Sequence, residues 1–286
     1  APAHGGRGMT NSSSVTDAAA TRVWPLRLLN LAAFVAVIAL NGAAATGALS
    51  GDSIGVLANR HASLFLPSSY VFGIWSLIYL GLTASLVFQL LPIERAARTV
   101  ARIGPWWAIC AALNVLWIVT FSFSRFGLAL VLMLAFLGVL IALTERLRSG
   151  PDTPDLAMRA FAIWPHDLYL AWISVALIAN TFQYAHVVGF GGFGISELTW
   201  SLTMMGVANL LGIVMAWGRG NWTFPFVVAW AIQGIGDRYP DIPEIAAFTT
   251  VIVPAGLAAG LGGWALGAWS RRSGSRSKHS ASSRPM

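Results

Sequence analysis

The sequence predicts an all-α membrane protein, a polytopic bundle of helices that cross the bilayer. Hydrophobic residues make up 56% of the 286-residue chain and charged residues only 10%, whereas soluble domains carry roughly 25% charged residues. The apolar residues form long continuous runs rather than the alternating pattern of barrel strands, which indicates helices. Such a chain cannot cover a water-facing surface, so we predict an integral membrane protein.

Eight apolar runs are candidates to span the bilayer. They cover residues 26–48, 69–91, 104–122, 127–144, 162–188, 197–217, 222–236 and 245–269. The seventh run is the weakest, because it is short and contains Pro225, Gly234 and Gly236. The distribution of charge nevertheless favours keeping it.

The basic residues support an even number of spans. With the N-terminus in the cytoplasm, fifteen of the eighteen Lys and Arg residues fall on the cytoplasmic side, and only Arg60, Arg125 and Arg238 fall outside. This is the positive-inside pattern. Without the seventh span, the five basic residues of the C-terminal tail would move outside. Topology thus explains the net charge of +7, both termini are predicted to be cytoplasmic, and no nucleic-acid partner is predicted.

Polar segments flank the predicted bundle. Residues 1–25 are predicted to be a disordered cytoplasmic tail, and residues 271–286 a basic cytoplasmic tail. The residues before Met9 are expected to lie upstream of the natural start, and no cleavable signal peptide is expected because the first apolar run is long enough to span. Lys278, the single lysine, lies in the tail, which excludes a retinal pigment with a buried Schiff base.

Three spans carry aromatic and amide side chains at helical spacing, so each set shares one face of its helix. The sets are Phe72, Trp75 and Tyr79 in the second span, Asn114, Trp117 and Phe121 in the third, and Tyr169, Trp172, Ala176 and Asn180 in the fifth. An amide in lipid needs a partner, so both asparagines are expected to face the bundle interior. Two interpretations remain open: contacts that hold helices together, or a site for a flat apolar ligand.

The same residues resemble the motifs of the translocator protein family, also called tryptophan-rich sensory proteins. The family has a proline-rich entry to its second helix, followed by V-F-x-x-V-W-x-x-L-Y; here Pro67 precedes a close match over residues 71–79. The family's N-x-x-W followed by aromatic residues matches residues 114–121. Its P-Y-L-x-W, followed by Ala and Asn, matches residues 169–180 in spacing, with Leu168 in place of the proline. Three motifs in the family order make the resemblance specific.

The resemblance implies a five-helix core over residues 26–188, with an apolar pocket near one membrane face and a lid formed by loop 49–68. Three additional helices over residues 189–270 would make the chain a larger, eight-helix branch. The implied ligand is a tetrapyrrole such as protoporphyrin, or a sterol-like molecule, bound by the ten residues of the three sets. Trp75 and Trp172 correspond to the family's porphyrin-associated tryptophans. The implied location is a bacterial cytoplasmic membrane.

The predicted function is a membrane receptor or carrier that acts in the transport, disposal or signalling of this ligand. Two alternatives remain open: an enzyme that degrades porphyrin in light, and a structural or assembly subunit. No catalytic residues, metal ligands or required cofactor are predicted, because the sequence has no metal-ligand spacing and no nucleotide motif. The predicted partners are the bilayer and the ligand, with a homodimer left open. Arg60 and His61 could meet a ligand carboxylate, or be solvated loop residues.

Overall fold

The computed structural model describes the backbone of residues 11–149 and 154–282, and the side chains of residues 23–149 and 154–266. These residues form helices and no strand, which confirms the predicted all-α fold. The α-helices are α1 (Asn11–Thr46), α2 (Ile54–Arg60), α3 (Ile74–Leu90), α4 (Glu94–Ile103), α5 (Trp106–Ser122), α6 (Phe126–Arg148), α7 (Leu156–Met158), α8 (Trp164–Val187), α9 (Glu197–Arg219), α10 (Thr223–Arg238) and α11 (Pro243–Ser282). A 3₁₀ turn over Ser69–Gly73 leads into α3, and a π turn over Arg159–Ile163 leads into α8.

Six helical segments in the described residues are long and apolar enough to cross a membrane. They are Val23–Thr46, Ser69–Leu90, Phe126–Arg148, Leu156–Val187, Glu197–Arg219 and Pro243–Leu266. A seventh is reached if α4 and α5, which meet at 57°, form one span. The chain is therefore a polytopic integral membrane bundle. Helix α10 occupies the remaining predicted position, but its 16 residues reach only about 24 Å. The orientation of the termini remains a prediction.

Two short helices lie in segments that were not predicted to be helical. Helix α2 lies within residues 49–68, hereafter the lid loop, and the Ser53 side chain caps it by accepting a hydrogen bond from the Val56 backbone. Helix α4 is amphipathic, with buried Ala96, Val100 and Ile103 on one side. Its charged residues lowered its hydropathy, so it did not stand out as an apolar run.

The ends of the helical bundle differ from the predicted tails. Helix α1 begins at Asn11, within the segment predicted to be disordered, and α11 continues to Ser282. The alanines at 18–20 favour helix, which explains how α1 can extend beyond its apolar part. Residues 1–10 and 283–286 of the predicted tails lie outside the described residues. The division into a 26–188 core and a 189–270 extension remains a prediction.

Ion pairs connect the helices at the membrane face opposite the lid loop. Arg148 of α6 pairs with Asp167 of α8, whose side chain is buried. Arg219 of α9 pairs with Glu145 of α6. The second pair joins one of the three C-terminal helices directly to the N-terminal helices, so the two parts of the chain pack as neighbours.

Candidate functional site

A cavity of about 450 Å³ lies inside the bundle, in the half nearer the lid loop. Residues from α1, α3, α5, α8 and α10 form its walls, and Phe65, Leu66 and Pro67 of the lid loop lie across one end. The volume falls within the roughly 300–1,000 Å³ that is typical of small-molecule sites. None of the described lining residues is Asp, Glu, Lys or Arg. The cavity is thus suited to a largely apolar, uncharged molecular surface.

The structure brings the three predicted sets of residues together around this cavity. Eight of the ten predicted site residues line it: Phe72, Trp75, Tyr79, Trp117, Phe121, Trp172, Ala176 and Asn180. Helical spacing aligned each set, and packing turns the three aligned faces towards one space. Ligand binding by these residues remains a prediction.

Trp75 lies at the centre of the aromatic wall. Its ring stacks on Tyr79 at 5.5 Å and on Trp117 at 6.2 Å between ring centroids. It meets Trp172 edge-on at 6.1 Å, and Trp172 also meets Phe72 at 6.2 Å. Such offset and edge-to-face contacts are the favourable geometries of aromatic pairs. They hold the indole faces in fixed orientations at the cavity.

Asn114 and Tyr169, the other two predicted residues, lie behind this wall and do not line the cavity. The Asn41 amide donates a 2.7 Å hydrogen bond to Asn114 Oδ1, and Asn114 Nδ2 donates a 2.9 Å bond to the Tyr169 hydroxyl. The Tyr169 ring packs against Trp75 at 6.0 Å. These residues therefore link α1, α5 and α8 and support Trp75 from behind.

We expect Asn114→Leu to destabilise the protein by about 1–3 kcal/mol, because the Tyr169 hydroxyl loses the Asn114 amide and the buried Asn41 amide keeps only its bond to the Val37 carbonyl. The measurement is thermal unfolding of the purified protein in detergent. Thr181→Val is the control: the exposed Thr181 hydroxyl bonds the carbonyl of Leu177 in its own helix, so the change should be within about 0.5 kcal/mol. Equal unfolding midpoints for Asn114→Leu and wild type would contradict this supporting role.

The indole N–H groups on the wall differ in their bonding. Trp117 Nε1 donates to Asn180 Oδ1 at 3.3 Å, and Asn180 Nδ2 donates to the Ala176 carbonyl at 2.9 Å. Trp172 Nε1 is buried and has no hydrogen-bond partner among the described residues. Buried polar atoms are usually paired, so this N–H is an unpaired donor within the wall, and it exposes essentially no surface to the cavity.

Polar groups gather where the cavity meets the lid loop. His61 lines the cavity and its ring contacts Phe126 at 5.6 Å. Arg60 instead forms a 2.5 Å ion pair with Asp52 of the same loop. Of the two residues predicted as alternatives to meet a ligand carboxylate, the structure therefore brings His61 to the cavity. No group of three His, Cys, Asp or Glu residues in the described chain is arranged to hold a metal ion.

The lining residues that were not predicted as site residues include Asn41 in α1, Gln183 in α8, and Ala231 and Ile235 in α10. Asn41 and Gln183 carried a usable signal, since each is an amide within an apolar run. Ala231 and Ile235 carried none, because small and aliphatic residues are ordinary in any membrane helix.

The fold and the cavity define a class: a polytopic helical membrane protein with a ligand-sized, aromatic cavity inside its bundle. The family model for TSPO-like proteins matches residues 27–262, so the chain belongs to the TSPO-like protein family. The match continues through α9 and α10 into α11, so the C-terminal helices are part of the matched region. No curated protein and no solved structure matches the chain. Family membership indicates a ligand-binding or transport-type role in the membrane.

Proposed function

We propose that this protein is a membrane receptor or carrier that holds a tetrapyrrole, or a similarly flat apolar molecule, in the cavity beneath the lid loop. The observation that carries the proposal is the cavity of about 450 Å³ with Trp75, Trp117 and Trp172 in its wall. Indole faces pack favourably on flat aromatic rings. A porphyrin presents such a face over most of its area.

The polar groups of the cavity match the other features of a porphyrin. His61 and Gln183 line the cavity near the lid loop, where the carboxylates of a porphyrin edge would meet them. The ring would then lie deeper in the membrane than its charged edge.

The test is a titration of the purified protein with protoporphyrin, followed by quenching of Trp fluorescence and by the shift of the Soret band. We expect saturable binding by the wild-type protein and its loss in Ala179→Phe, because Ala179 lines the cavity and the larger side chain would fill part of it. Ala112→Phe is the matched control, since Ala112 is exposed on the outside of α5. Equal binding by the Ala179→Phe and Ala112→Phe variants would overturn the assignment of this cavity.

A further inference from the structure

Most of the described polar contacts that the lid loop makes with other helices come from outside the predicted five-helix core. Between α2 and the 3₁₀ turn at Ser69 the loop is not helical, so its backbone N–H and C=O groups need partners elsewhere. One contact comes from the core: Gln183 of α8 donates to the Leu57 carbonyl at 3.1 Å. The contacts over residues 63–71 come from α9, from α10 and from the residue after α10.

Side chains at the end of α10 hold the first part of this segment. The Tyr239 hydroxyl donates to the Ser63 carbonyl at 2.7 Å, and Arg238 Nη2 donates to Asn59 Oδ1 at 2.7 Å. Glu197, the first residue of α9, accepts a 2.7 Å hydrogen bond from the Leu64 backbone N–H. The loop is thus held from two neighbouring helices.

A second set of contacts fixes the chain where it leaves the lid loop and enters α3. The Ser68 N–H donates to the Gly234 carbonyl at 2.9 Å, and Trp230 Nε1 donates to the Val71 carbonyl at 3.2 Å. The Tyr70 hydroxyl donates to Asp237 Oδ2 at 2.6 Å. Each of these bonds joins residues 68–71 to α10.

Close packing accompanies these bonds at Gly234. A Cβ atom at this position would lie 2.1 Å from Val71 Cγ2 and 3.3 Å from Pro67 Cβ. At Gly234, the backbone of α10 therefore approaches Pro67 and Val71 more closely than a residue with a Cβ atom would permit. Ala231 and Ile235, on either side of this approach, line the cavity itself.

We propose that α9 and α10 fasten the lid loop over the cavity, and that these contacts set the rates at which a ligand enters and leaves. Helices α9 and α10 are then a working part of the ligand site. The kinetic part of this inference rests on the proposed function, whereas the fastening itself can be measured on the ligand-free protein.

The first experiment measures amide hydrogen exchange in residues 54–68 of the full-length, ligand-free protein in lipid nanodiscs. The double variant Tyr70→Phe/Tyr239→Phe removes two hydroxyl donors and keeps both rings. We expect exchange in the lid loop to become at least about fivefold faster, since each lost hydrogen bond raises the population of the open loop. Tyr184→Phe is the matched control, because the Tyr184 ring packs on Gly127 of α6. Exchange equal to that of wild type in the double variant would overturn the fastening.

Gly234→Ala tests the same contact by steric means. The added methyl group would displace Val71 and so weaken the contact between α10 and the end of the lid loop. Amide hydrogen exchange in the lid loop should therefore accelerate, as in the Tyr70→Phe/Tyr239→Phe variant. Gly138→Ala is the control, because a Cβ at Gly138 in α6 meets no atom within 4 Å. If Gly234→Ala does not fold, the tyrosine double variant still decides the question.

The second experiment measures association and dissociation rates of protoporphyrin with the same variants. Both rates should rise by about the factor seen in exchange, so that the affinity changes by less than about twofold. Faster exchange with unchanged ligand rates would overturn the role of the lid in ligand passage. Absence of binding to the wild-type protein would instead count against the proposed function, and exchange would still report on the fastening.

Discussion

Asp167→Ala is expected to destabilise the protein by about 3–5 kcal/mol, the cost of removing one partner of a buried ion pair. Asp167 lies in the first turn of α8 with only 2% of its side chain exposed, and its partner Arg148 has 18% exposed. Without the carboxylate, the Arg148 guanidinium would remain largely buried without its counter-charge. Thermal or denaturant unfolding in detergent measures the loss.

Two further variants separate the ion pair from other causes. Replacing both partners, in Arg148→Met/Asp167→Leu, removes the buried charges together and should restore most of the stability. Glu94→Ala breaks the exposed Arg98–Glu94 pair, whose side chains are 52% and 64% exposed, and should change stability by less than about 1 kcal/mol. Similar losses for Asp167→Ala and Glu94→Ala would show that Arg148 is solvated after all.

Trp75→Phe/Trp172→Phe is expected to weaken protoporphyrin binding by about tenfold or more, or roughly 1.4 kcal/mol. Trp75 touches Tyr79, Trp117 and Trp172, so the smaller ring changes the surface on which the ligand would stack. The Trp172 substitution changes the same wall, because the Trp172 ring meets both Phe72 and Trp75. An aromatic stacking contact contributes about 0.5–1.5 kcal/mol, so weakening two of them accounts for the expected effect.

The measurement is the same fluorescence and Soret titration, together with near-ultraviolet circular dichroism to show that the variant is folded. Trp264→Phe is the control, because Trp264 lies on the surface of α11 with 36% exposed. Unchanged affinity in a folded Trp75→Phe/Trp172→Phe variant would remove these two residues from the proposed site. A loss shared equally by Trp264→Phe would point to a general effect of losing indoles.

Hydropathy predicted the membrane helices because a span must be continuously apolar over about 20 residues. Helical spacing then predicted which residues of one helix share a face, as for Phe72, Trp75 and Tyr79. Neither property says which helices are neighbours, so a single sequence could not distinguish the cavity wall from the layer behind it. This is why Trp117 lines the cavity whereas Asn114, one turn away on the same face, bonds to Asn41 and Tyr169.

The contribution of α10 was the part least accessible from the sequence. Its short apolar run was counted as a span on the basis of charge, but its contacts depend on close packing at Gly234 and on polar residues just beyond the run. Trp230 lies within the seventh predicted span, and its indole N–H donates to the Val71 carbonyl. A backbone acceptor has no signature in the sequence, so this contact could not have been predicted.

The fastening of the lid loop has a consequence for how the protein is made. The lid loop is synthesised early, whereas its partners on α10 follow about 170 residues later in the chain. At roughly 5–20 residues per second, the ribosome needs on the order of 10–30 s to reach them. During that interval the N-terminal helices stand in the membrane with the loop still unfastened. The cavity therefore takes its final shape only after α10 has been synthesised, since Ala231 and Ile235 line it.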